Sequence, residues 1–262
     1  MNQTREPIPF WARFFLKFAD VCIFDAPGKP RFKVAWAVDV HKIATLFIIY
    51  AMMHHFQNFS TGAWVYLALH GIYGYCWLIK DFAFRDHQLN NKLSFIGFFN
   101  LYALLIAWYW LIPYLFLSRY VEPSGFVLFV AIALHTLGVV TMIAADGQRH
   151  WAMKYRTQSG LFTDGMCRYT RNPNYLGELM LYAAYALLAA HWLAWVIYAY
   201  MAIYFLARMK GKDHAISRHP GWADYKAQSG LLIPWRILNG RALYERWQEH
   251  SSRAGTLEEA KG

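Results

Sequence analysis

Along the chain, apolar residues gather into long segments separated by short polar breaks. A bilayer core ~30 Å thick needs about 20 mostly apolar residues per helical crossing, and several segments meet that length. The first runs from about His41 to Phe56 and the second from about Gly62 to Ile79, joined by a polar turn at Asn58 to Thr61. The third covers about Leu93 to Leu117 and the fourth about Gly125 to Ala145, with the turn signal Glu122-Pro123-Ser124-Gly125 between them. Leu176 to Ala207 is too long for one helix and breaks near His191, which predicts two helices in a tight hairpin. The expected fold is an all-α, polytopic integral membrane bundle of about six transmembrane helices, five to seven by the same length test, with a polar C-terminal lobe.

Composition agrees: 57% of residues are hydrophobic and 16% charged, against about 25% charged in soluble domains. A net charge of +10 raises the question of nucleic acid, but that reading needs a basic face on a soluble fold, and here the basic residues lie between apolar segments. The charge reads instead as topology. Six Lys and Arg precede residue 34, Lys42 opens the first span, three fall in 80–92, five in 149–171 and ten from Arg208 onward; Arg119 alone falls on the other side. Short cytoplasmic loops carry such an excess, so both termini are expected in the cytoplasm with an even number of spans. Arg5, Arg13, Lys17 and Asp20 among Phe and Trp in the first 25 residues predict an interfacial amphipathic helix, within an N-terminal interfacial segment 1–34, and no cleaved signal peptide. Cys22, Cys76 and Cys167 form no disulfide framework.

Ionisable groups inside a membrane are costly and mark function or a specific polar partner. Asp81 and Asp146 are expected to end the second and fourth spans at the cytoplasmic surface, and His70 and His135, each 11 residues earlier, lie about 16 Å deeper at ~1.5 Å per residue. The two histidines can meet at mid-bilayer, either at a site or as neutral imidazoles hydrogen-bonded between helices. His54, His55 and His191 sit toward the opposite face. His70, Tyr73, Trp77 and Asp81 share one helical face, and the Tyr73 hydroxyl is a candidate acid for a substrate carbonyl or packing glue.

The segment from Asp146 to Asn174 is expected as a loop carrying Arg149, Lys154, Arg156, Arg168 and Arg171 beside Asp146 and Glu178. Asn172 is a candidate N-cap and Pro173 a first-turn residue. Helix N-termini attract anions and guanidinium groups bind phosphate or carboxylate, and Asn174 and Glu178 fall on one face to orient a ribose or amide. Arg208, Lys210, Lys212, Asp213, His214, Asp224 and Tyr225 are expected to fold back beneath the bundle. No metal site is expected: there is no HExxH, and the acidic residues lack ligand spacing. Gly-rich dinucleotide fingerprints are absent, so any nucleotide site is built differently from a Rossmann crevice.

GLFTDGMCRYTRNPNYLGE, followed by WADYKAQSGLLIPW, resembles the C-terminal region of the steroid 5-alpha-reductase superfamily. The match is closest to its broad branch of bacterial and plant proteins, which implies a bacterial inner membrane. It extends to AADGQ and more weakly to HGIYGYCWLIKDF, covering roughly residues 130–236 as a cofactor domain, after N-terminal spans at 35–129 and before a tail at 237–262. The resemblance implies NADPH held at the cytoplasmic side and hydride passed to an enone carbon of a hydrophobic substrate. Asp146, Asn174, Tyr175 and Glu178 would then hold the cofactor with Arg171, Arg208 and Tyr225, Lys154 and Arg156 would meet its phosphates, and Tyr73 or His70 would be the catalytic acid. Steroid reductases use an early-helix glutamate, and this chain has none between Glu6 and Glu122. Isoprenylcysteine and phospholipid methyltransferases share the arginine-proline-tyrosine-glycine element, which keeps S-adenosylmethionine open as the alternative cofactor. Their paired glutamates correspond here to Lys212-Asp213-His214. A lipid or quinone binding protein without chemistry is the third reading.

Overall fold

The computed structural model describes residues 5–155, 160–238, 240, 244 and 248. Its helices are α1 (Phe10–Ala19), α2 (Val34–His55), α3 (Thr61–Tyr66), α4 (Ile72–Ala83), α5 (Phe95–Leu101), α6 (Trp108–Leu117), α7 (Gly125–Tyr155), α8 (Pro173–Ala189), α9 (Trp192–Ile216) and α10 (Trp222–Gln228), with a short turn of helix at Trp235–Leu238. A π-helical turn, Leu67–Gly71, fuses α3 to α4, and another, Tyr102–Ile106, leads from α5 toward α6. Two-residue strands, Phe32–Lys33 and Lys92–Leu93, pair antiparallel and tie the segment before α2 to the one before α5.

By length and apolarity, α2, α7 and α9 can each cross a membrane, and the pair Phe95–Ile106 with Trp108–Leu117, bent by 42°, makes a fourth crossing if taken as one. The remaining two of the expected six segments are helical but fail the same test, because α8 has only 17 residues and a π turn interrupts α3–α4. Phe47, Phe82, Phe99, Phe126 and Phe129 stand exposed on the outside of the bundle, which fits a membrane protein.

Helix ends lie where backbone chemistry puts them rather than where hydropathy falls. α2 begins at Val34, not near His41, so Lys42 lies two turns inside it. α7 runs to Tyr155 instead of ending near Ala145, because the charges after Ala145 limit the membrane and do not stop a helix. The expected loop after Asp146 is therefore helical up to Tyr155. α9 likewise continues from Ala207 to Ile216. The expected break at His191 is present: Ala190 adopts φ +47° and His191 Nδ1 caps α9 by accepting from Leu193 N at 3.1 Å. The Ser60 hydroxyl caps α3 by accepting from Ala63 N.

Two glycine contacts set the inner packing. A Cβ on Gly74 would lie 2.3 Å from the Lys42 carbonyl, so α4 rides directly on the α2 backbone. Gly177 and Gly138 do the same for α8 and α7, the most extensively packed pair: a Cβ on Gly177 would lie 2.4 Å from the Gly138 carbonyl and 2.6 Å from Met142 N. Helix α1 packs on α9 and turns Phe10, Trp11, Phe14 and Phe18 outward. Ahead of it, Glu6 accepts from Lys226 Nζ at 2.5 Å and its N–H donates to Ser217 Oγ at 2.9 Å, strapping the N-terminal segment to the α10 region.

Candidate active site

The two motif segments of the sequence meet in space. Arg171 N donates to the Gly230 carbonyl at 2.9 Å, and Gly230 N donates to Tyr169 at 3.0 Å. Thr170 Oγ1 donates to Leu232 at 2.7 Å and Asn172 Nδ2 to Leu231 at 2.9 Å. Arg171 completes the seam: Nε and Nη2 reach Asp213 at 3.1 and 3.2 Å, and Nη1 donates to the Ser229 carbonyl at 2.6 Å. Lys212 Nζ closes it by donating to the Arg171 carbonyl at 2.7 Å and Asn172 Oδ1 at 3.1 Å. These bonds correct the expected cap. Pro173 does open α8, but the Asn172 side chain makes no capping bond, because Leu231 and Lys212 already engage it.

Above this seam lies a cavity of about 520 Å³ lined by Arg149, Arg171, Asn174, Tyr175, Arg208, Lys212 and Tyr225, among others. Five of the expected cofactor residues thus share one wall. They are not equivalent. The Arg171 guanidinium is saturated by Asp213 and Ser229, so it shapes the wall. Tyr225 likewise donates its hydroxyl to the Cys167 carbonyl at 2.8 Å, and burial pushes both the Tyr225 phenol and the Cys167 thiol above their ordinary pKa values. Arg208 donates to Gln88 and touches Tyr175. Among the described residues, Arg149, Arg208 and Lys212 form no ion pair with a carboxylate. With Asp86 also in the lining, the cavity wall still carries an excess of positive charge.

A second cavity of about 530 Å³ shares Asp86, Arg149 and Met153 with the first and is also lined by Lys80, Asp146, His150 and Lys154. Asp146 is not at a helix end: it sits within α7 and pairs with Lys80 at 2.7 Å. Lys154 lies over the rings of Trp151 and Tyr155 at 4.9 and 5.7 Å. Arg156 lies outside the described residues. Asp81, expected at the surface, is buried and held by Arg85, which also reaches Asp39 at 3.6 Å.

The other expected residues lie inside the bundle and line neither of these two cavities. Glu178, one turn beyond Asn174, accepts from Tyr182 Oη at 3.3 Å and stands in the field of Lys80, Asp146 and Lys42. Tyr73 is buried, its hydroxyl 3.6 Å from Met142 Sδ and its ring 4.2 Å beneath Lys42 Nζ. His70, Tyr73, Trp77 and Asp81 are all buried on one side of α3–α4. His70 stacks on Tyr185 at 4.1 Å and meets the Tyr66 hydroxyl at 3.3 Å; His135 packs on the same Tyr185 ring at 5.7 Å. The two histidines thus come together, with an aromatic ring between them. A file of polar side chains results, from the Lys80–Asp146 pair through Glu178, Lys42 and Tyr73 to the histidines.

Lys42 and Lys80 are interior groups, and Arg149 and Lys212 line the first cavity, although none of the four was among the expected site residues. Lysines within apolar runs were the available signal for the first two. Arg149 lies three residues after Asp146, one turn along α7, and became legible only once that stretch was helical. No cluster of three or more His, Cys, Asp or Glu suited to a metal occurs among the described residues.

A relative in Schizosaccharomyces pombe (strain 972 / ATCC 24843), described as uncharacterized protein C7D4.09c, is 24% identical over 126 residues, 44% of this chain. The matched region spans 46%, about half, of that relative's length. A family described as "Protein of unknown function (DUF1295)" matches residues 32–226, from the start of α2 to α10. That span takes in the named lining of both cavities, the interior polar file and the 169–172 side of the seam, and the chain belongs to the DUF1295 family.

Proposed function

We propose that this protein is a membrane-embedded, NADPH-dependent reductase of a lipid-soluble conjugated substrate, of the steroid 5-alpha-reductase kind. The observation that carries this reading is the charge of the first cavity, where Arg149, Arg208 and Lys212 face the space without a carboxylate partner. Such a wall suits a polyanionic dinucleotide, since guanidinium groups bind phosphate by charge-assisted, often bidentate bonds. It suits S-adenosylmethionine less, because that ligand brings its own positive sulfonium.

In this reading Arg149, Arg208 and Lys212 hold phosphates, while Asn174 and Tyr175 orient the sugar or amide. Arg171 and Tyr225 keep the wall in shape. Lys154, which shares the neighbouring cavity with Arg149, offers charge for the phosphate that separates NADPH from NADH. Asp146 neutralises Lys80 at the mouth of the polar file, and Glu178 sets the field along it. Bound NADPH would supply hydride; Tyr73 would donate toward the substrate carbonyl, with His70 deeper in the same file. In this reading both termini and the cavity face the cytoplasm, which the distribution of basic residues supports, and the substrate arrives through the bilayer.

The test is transfer of label. Detergent-purified protein is incubated with 4-deuterated NADPH and a panel of lipid-soluble enones, and products are analysed by mass spectrometry. Deuterium on the β-carbon of a saturated product is expected. Failure of every enone, together with transfer of a labelled methyl group from S-adenosylmethionine to a lipid or thiol, would replace this reading by methyl transfer.

A further inference from the structure

Lys42 is the charge that the bundle explains least. It lies two turns inside α2, and its Nζ stands 4.2 Å over the Tyr73 ring. Among the described residues its ammonium has no ion pair and no hydrogen bond. Glu178 exerts its field on Lys42 but lies beyond ion-pairing distance, and Asp146 is taken by Lys80 at 2.7 Å. An unpaired ammonium in a membrane bundle is expensive, and such groups persist where a ligand or a reaction uses them. Packing does not require it: an apolar side chain of similar length would cover the same ring.

The neighbouring donor is Tyr73, whose hydroxyl lies 3.6 Å from the thioether of Met142, a weak acceptor, and also meets the Tyr182 hydroxyl. Gly74 fixes the two together, since its missing side chain lets α4 lie against the Lys42 carbonyl itself. An ammonium without an ion pair, beside a phenol on the adjacent helix, forms a place for an oxygen that carries negative charge or develops it.

We propose that Lys42 and Tyr73 bind the carbonyl oxygen of the lipid-soluble substrate, Lys42 giving the positive charge and Tyr73 the proton. This rests on the reductase reading for its chemistry, but the oxygen site can be tested without turnover. As the β-carbon takes hydride from the reduced nicotinamide, the double-bond electrons move onto the carbonyl oxygen. That oxygen takes the Tyr73 proton, and the phenolate left behind is held by Lys42. The enol then returns to the ketone as its proton passes to the α-carbon, and water restores the proton to Tyr73. One hydride and one proton are added in all.

The experiment uses the full-length protein in detergent and a long-chain alkyl nitrophenol, whose absorbance separates phenol from phenolate. Wild type should bind it as phenolate, and Lys42→Met should bind it at least about tenfold more weakly and mostly as the neutral phenol. Lys42→Arg should retain part of the phenolate signal. Lys42→Met should keep or raise the thermal midpoint, because replacing a poorly paired buried charge by an apolar group is often neutral or stabilising. Its turnover number with an enone should fall about 10²-fold, the usual loss of one donor to a developing oxyanion, with NADPH affinity unchanged. Equal phenolate binding by wild type and Lys42→Met overturns the proposal, and so does a lowered midpoint with lost NADPH binding, which would mark a purely structural lysine. Phenolate binding that depends on Lys42, in a protein that reduces no enone, keeps the oxygen site and removes the reductase reading.

Discussion

Arg171 and Arg208 line the same cavity, yet their surroundings assign them different work. Arg171 commits its guanidinium to Asp213 and Ser229, so its removal leaves a buried carboxylate unpaired, a change that costs about 3–5 kcal/mol. Arg171→Ala should therefore lower the thermal midpoint sharply or abolish folded yield, and Arg171→Lys should rescue only part of it, because an ammonium cannot reproduce the bidentate fork. Arg208→Gln should instead leave the midpoint within a degree or two and weaken the nucleotide. Calorimetry on the three variants separates these outcomes, and equal midpoints throughout would contradict this division of roles. At this scale the sequence marked five residues that share the cavity wall, and not their partners. Arg171 was legible as a motif arginine, but Asp213 lies 42 positions away, and only the fold brings them together. Lys42 was legible as a charge at the edge of an apolar run; its place inside the bundle followed from a helix start that hydropathy does not show.

Among the elements, α7, α8 and α9 line the candidate site, and the approach of α7 to α8 depends on two glycines. Gly177→Ala would put a Cβ 2.4 Å from one backbone carbonyl and 2.6 Å from a backbone nitrogen of α7, neither of which can turn aside. The helices must part, at a cost of about 1–3 kcal/mol for an overpacked contact. Because Asn174 and Tyr175 ride on the same helix, nucleotide affinity should fall with stability. Gly125→Ala, where nothing lies within 4 Å of the added Cβ, should leave both unchanged. Chemical denaturation midpoints and a binding titration on each variant check the pair. The element positions were readable from apolar runs and turn signals. Their ends were not, since charges near Asp146 and Arg208 mark the edge of an apolar layer while the backbone continues unbroken to Tyr155 and Ile216. The π turns at Leu67–Gly71 and Tyr102–Ile106 left no mark in composition.

Across the whole molecule, distant stretches of chain assemble the polar end. The seam of residues 169–172 with 229–232, the Lys80–Asp146 pair and the Glu6 strap bring together segments that are far apart in sequence. That assembly leaves a basic cavity in a helical bundle and a polar file running from the Lys80–Asp146 pair of the neighbouring cavity toward His70 and His135. The proposed function rests on the charge of that cavity, so ligand identity is the decisive question. A ligand that binds only the folded state raises its apparent stability in proportion to the logarithm of concentration over Kd. The direct measurement is a thermal-shift titration of the detergent-purified protein with NADPH, NADH and S-adenosylmethionine side by side, repeated on Arg149→Gln and Arg208→Gln. NADPH should stabilise wild type most and NADH less, and both arginine variants should lose most of the NADPH effect. Stabilisation by S-adenosylmethionine with none by NADPH would contradict the reductase reading.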